Sequence, residues 1–169
     1  SGGFVAQYSV LLPLGIRTVT LEAVTYCEGR EMERQVVWRG SPLELPGDGF
    51  WLREDPRQSS DGWGPVEFTL LPWTDESDGA EDPLASWTME LPSGFHYDSR
   101  DQRSVENTAE LTANTSAVLL AAAFSDTEAS SPAQEMQLPA AEELHDPAVL
   151  EQTLEAWDTV ILVELHLGS

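Results

Sequence analysis

Residues 17–39 read RTVTLEAVTYCEGREMERQVVWR, and this stretch decides the fold. Val19, Leu21, Ala23 and Cys27 share one face, with Thr18, Thr20 and Glu22 on the other. A period of two belongs to a strand with one face buried, whereas a helix would need spacings of three and four. Glu28 and Gly29 interrupt the rhythm as a turn, and Met32, Val36 and Trp38 then line a second strand. The segment therefore predicts an antiparallel hairpin.

The same alternation spreads in both directions. Phe4, Ala6, Tyr8, Val10 and Leu12 point one way until Pro13 and Gly15 break the strand. Turns at Pro42, Pro46, Gly47 and Gly49 lead into a short strand from Phe50 to Arg53, and Asp61, Gly62, Gly64 and Pro65 form another turn. Val66, Phe68 and Leu70 alternate with polar residues, as do Trp87, Met89 and Leu91, and again Val105, Ala109, Leu111 and Ala113. Residues 117–124 are continuously apolar, which predicts a strand covered on both faces, with a helix as the alternative.

Two segments break the pattern before the end. An acidic loop covers residues 74–86, and a Ser, Glu and Pro-rich connection covers 125–141. A helix is then predicted at about 147–157: Asp146 caps it, Pro147 fits its first position, and Leu150, Leu154 and Trp157 fall on one face. The last strand is predicted at about 159–167. Its inward residues are Ile161, Val163, Leu165 and Leu167, but Val160 and Leu162 make the other face apolar too, so another element or a partner must cover them. Eight or nine short strands with one late helix predict a mainly β chain over 1–169: a single antiparallel β-sandwich or jelly-roll-like domain.

Charge narrows the partners. The chain carries 30 acidic against 8 basic residues, a net charge of −22, and every basic residue is arginine. Beyond Arg103 there are twelve acidic residues and no basic one. Such a field repels nucleic acid and anionic membranes and attracts a basic partner. Without lysine there is no Schiff base and no P-loop lysine. The acidity is also what adaptation to high salt would produce. No apolar run reaches the length of a membrane span, and the N-terminus does not read as a signal peptide. One cysteine excludes an internal disulfide and favours an intracellular or virion setting.

Candidate sites are few. Cys27 lacks a local base to form a thiolate. His96, His145 and His166 match no metal-ligand spacing, and His166 reads as an outward surface residue on the last strand. Asp75, Glu76, Asp78, Glu81 and Asp82 surround Gly79 and offer oxygens to calcium, but their order is not that of a helix–loop–helix calcium loop. Asn114 begins an N-glycosylation triplet. Trp51, Trp63 and Trp73 lie in the Gly and Pro-rich middle, where exposed rings would stack on sugars or dock a partner.

No phosphate-binding loop, nucleophile elbow or basic–aromatic surface is present, and no cofactor is implied. The expected function is a non-enzymatic structural or protein–protein interaction module, such as a virion or extracellular-machine coat subunit. Trp51, Trp63, Trp73, Val160 and Leu162 are its contact candidates, with a protein partner or self-association. Two alternatives stand beside it: an acidic chaperone, inhibitor or nucleic-acid mimic that binds a basic partner, and a carbohydrate-binding or hydrolytic domain built on the tryptophans.

Overall fold

A computed structural model describes residues 4–9, 12, 14–44, 49–72, 82–105, 116–126 and 137–168. Among the described residues, nine strands and one α-helix follow in chain order: β1 (Phe4–Ser9), β2 (Thr18–Cys27), β3 (Arg30–Gly40), β4 (Gly49–Ser59), β5 (Gly62–Pro72), β6 (Ala85–Met89), β7 (Ser99–Ser104), β8 (Ser116–Ser125), α1 (Pro147–Ala156) and β9 (Thr159–Gly168). A four-stranded sheet has the order β1-β4-β5-β6, and a five-stranded sheet has the order β3-β2-β9-β8-β7. Every pairing is antiparallel.

Side chains from both sheets form one apolar core, centred on Tyr8, Phe50, Leu52, Phe68, Leu70, Leu21, Val163 and Phe124. Polar contacts cross the same interface. The Tyr8 hydroxyl donates to the Leu119 carbonyl at 2.9 Å, and Gln35 Nε2 reaches Met89 Sδ at 3.0 Å. The arrangement is a two-layer sandwich, and the period-two pattern accords with it.

The hairpin of residues 17–39 is β2 and β3. Glu28 and Gly29 form its turn with φ of 51° and 80°. Two consecutive left-handed residues match the right-handed twist of the flanking strands, so a two-residue connection closes here. The face assigned to β3 is corrected. Register shifts between Leu21 and Glu22 and between Thr25 and Tyr26 insert extra residues, so Trp38 lies opposite Leu21 while Val36 lies opposite Glu22. Met32 and Val36 are consequently exposed, at 62% and 53%. A bulge turns the residues beyond it to the other face.

Other boundaries shift for similar reasons. β4 continues past Arg53 to Ser59 and through Pro56, which sits where the β4–β5 register is already broken. β7 is a polar strand, SRDQRS, at the edge of its sheet. It shows no apolar alternation because no residue in it is fully buried. The alternating stretch at 105–113 lies outside the described residues except for Val105, which is buried.

Residues 117–124 form β8, a strand rather than a helix, and both its faces are covered. One face meets the core. The other lies under the segment that follows, where a 3-10 turn at Ala141–His145 packs across β8. Two β7 side chains fix the start of this cover: Leu138 N–H donates to Asp101 at 3.0 Å, and Arg103 donates to the Leu138 carbonyl at 3.0 Å. Glu143 accepts from the Ala140 N–H at 3.0 Å and closes the turn, and Asp146 caps α1 by accepting from Ala148 N–H at 2.9 Å. Within α1, Thr153 and Ala156 are buried while Leu150 and Leu154 are half-buried; Trp157 has left the helix in extended conformation and is buried.

Val160 and Leu162 sit opposite Ala123 and Ala121 on this same face, and both are completely buried. An element of the same chain covers them, so neither is presented as a contact surface.

Candidate functional site

A concavity opens at the end of the sandwich that carries the β2–β3 turn. A groove of about 600 Å³ runs between that hairpin and the stretch following β6. The hairpin contributes Thr25, Cys27, Glu28, Met32 and Glu33, and the other wall is Glu90, Leu91, Pro92, Ser93 and Phe95. Met32 projects because it occupies the second bulge of β3, and Phe95 is held by ring contact with buried Tyr97 at 5.4 Å. Tyr97 is itself anchored to Thr159 by a 2.7 Å hydroxyl contact. The lining therefore combines apolar Met32, Leu91, Pro92 and Phe95 with three exposed carboxylates, Glu28, Glu33 and Glu90.

Cys27 is not primed for nucleophilic chemistry. Burial pushes its thiol pKa up, a contact with Thr159 opposes this, and the nearby Glu28 and Asp158 carboxylates add to the rise. A catalytic cysteine needs the opposite environment.

The tryptophans are dispersed. The Arg100 guanidinium carbon sits over the Trp63 ring, 5.1 Å from its centroid. Arg100 reaches across the sandwich to Glu54 of β4, a completely buried carboxylate, and also faces Phe124 at 5.8 Å. Trp63 is thus half of an internal support for a buried ion pair. Trp51 is half-buried on the outward face of β4, between Gln7 and Leu71. Trp73 lies outside the described residues, as do Asp75, Glu76, Asp78, Glu81 and Asn114; Asp82 is exposed.

A polar cluster that the sequence spacing does not reveal occupies the outer face of the five-stranded sheet. Glu22 of β2 lies directly opposite Glu164 of β9, with His166 two residues further along the same face. Arg34 of β3 bridges Glu22 and Glu164 through one nitrogen at 2.7 and 2.8 Å and holds Glu31 at 2.9 Å. His166 Nε2 lies 3.2 Å from Glu22 and 3.1 Å from Glu164. Residues 22, 34 and 164 meet only through strand pairing, so no linear motif could announce them.

The loop end opposite the groove carries two nearly fully exposed leucines, Leu14 and Leu43, at 104% and 96%. Among the described residues no helix is long and apolar enough to cross a membrane. No protein-family profile matches the chain, and neither a curated protein nor a solved structure matches it.

Proposed function

We propose that this chain is a protein-interaction module that receives a basic, partly apolar segment of a partner in the groove between the β2–β3 turn and the stretch after β6. One observation carries the reading: Glu28, Glu33 and Glu90 line the groove together with apolar Met32, Leu91, Pro92 and Phe95, and among the described residues no basic side chain lines it. Apolar contact supplies affinity in such a site, while complementary charge supplies orientation and a fast on-rate. The net charge of −22 disfavours a second copy of the same chain as occupant and supports a different, cationic partner. Such a module would serve as one subunit of a larger assembly. A sugar-binding reading is less well supported, because the Trp63 ring is already engaged by Arg100.

Fluorescence anisotropy with labelled peptides in which Arg and Lys alternate with Leu and Val tests this directly. Binding should weaken as salt rises, and the triple variant Glu28→Gln, Glu33→Gln, Glu90→Gln should lose about tenfold or more in affinity. Met32→Ser should weaken binding without changing its salt dependence. Absence of binding, or affinity indifferent to both salt and the triple substitution, would refute the proposal.

A further inference from the structure

We infer that Glu22, Glu164 and His166 form a divalent transition-metal site, of the kind zinc occupies, in which Arg34 holds the place of the ion until the metal arrives. This is independent of the groove, which uses none of these residues.

The geometry comes first. One oxygen each from Glu22 and Glu164 and the Nε2 atom of His166 lie within 4.8 Å of one another. The imidazole nitrogen is 3.2 Å from the Glu22 oxygen and 3.1 Å from the Glu164 oxygen. A tetrahedral ion with bonds of about 2.0 Å separates its ligands by about 3.3 Å, so these spacings need little adjustment. One nitrogen with two carboxylate oxygens suits a borderline ion such as zinc better than magnesium or calcium, which prefer oxygen alone. Water would complete the tetrahedron, since all three residues are partly solvent-exposed.

Charge is the second observation. Glu22, Glu31 and Glu164 converge on the single guanidinium of Arg34, three carboxylates to one cation, an excess of two negative charges while His166 is neutral. A dication cancels them. Arg34 contacts the same two oxygen atoms that face His166, so ion and guanidinium nitrogen compete for one position. Glu31 also holds Arg34 through two other nitrogens at 3.1 and 2.9 Å, which gives the displaced side chain a place to remain.

The rigid part of the site is the sheet itself. Glu22 and Glu164 are register partners on adjacent central strands, and His166 follows Glu164 at the spacing that keeps it on the same face. Ligands on paired strands hold their separation better than ligands on loops.

Calorimetric titration of the chelator-treated chain with Zn²⁺, in excess Mg²⁺ to occupy the general acidic surface, tests the assignment. One Zn²⁺ should bind per chain. His166→Gln should weaken it about tenfold or more, and Arg34→Ala should tighten it several-fold because the competitor is gone. In the unsubstituted chain, the His166 ring proton resonances should shift as Zn²⁺ reaches one equivalent. Zn²⁺ binding that is equal in the His166→Gln variant, a weaker site after Arg34→Ala, or a His166 ring untouched at stoichiometric Zn²⁺ would each overturn the inference.

Discussion

At the scale of single residues, the most consequential group is Glu54. It is fully buried between the sheets, where Arg100 meets it from β7. Burial raises the carboxyl pKa, and the Arg100 charge only partly pulls it back. Removing one member of such a pair strands the other, so Arg100→Met should cost about 3–5 kcal/mol in urea unfolding. Replacing both, with Glu54→Leu in the same chain, should recover most of that loss, because an apolar pair has no charge to desolvate. A double variant as unstable as the sum of its singles would show that the two groups are not coupled. Tyr8→Phe should cost about 1 kcal/mol: the Leu119 carbonyl loses the tyrosine hydroxyl but still accepts from the Val105 N–H at 3.2 Å.

At the scale of elements, two glycines separate backbone conformation from packing. Gly29 in the β2–β3 turn and Gly62 at the start of β5 both have positive φ, at 80° and 100°. A Cβ at Gly29 would meet nothing within 4 Å, whereas at Gly62 it would fall 2.5 Å from the Tyr97 carbonyl oxygen. Gly29→Ala should therefore cost about 1 kcal/mol, the price of the left-handed conformation alone. Gly62→Ala should cost clearly more, because the β4–β5 hairpin must also move off the stretch before β7. Equal losses in denaturant unfolding would mean that the close approach at Tyr97 carries no energy.

At the scale of the whole molecule, net charge dominates. A compact chain at −22 repels itself, so its thermal midpoint should rise when salt is added near neutral pH. Glu54 adds a pH dependence of known sign. Its folded pKa is raised above the unfolded value, so the folded state holds the proton more tightly. The stabilising contribution is complete below the unfolded pKa and is lost as pH rises through the folded one. Calorimetry should thus show the midpoint increasing as pH falls from neutrality into the acid range, with a shallower slope in Glu54→Gln. A midpoint that falls over that interval would contradict this account.

What was legible in the sequence was whatever a single strand can express. Alternation in 18–27, 66–70 and 159–167 marked buried faces, Glu28-Gly29 marked a turn, and Asp146-Pro147 marked a helix start, because each depends on neighbours in the chain. β7 was silent, since a polar edge strand leaves no apolar period, and the bulges of β3 were silent because an inserted residue becomes visible only against its partner strand. The fate of Val160 and Leu162 also waited on the tertiary structure, which alone shows that both are completely buried within the chain. Both the groove and the Glu22–Glu164–His166 cluster join residues from distant segments. Such meetings are decided by sheet order and register, which local sequence preference does not encode.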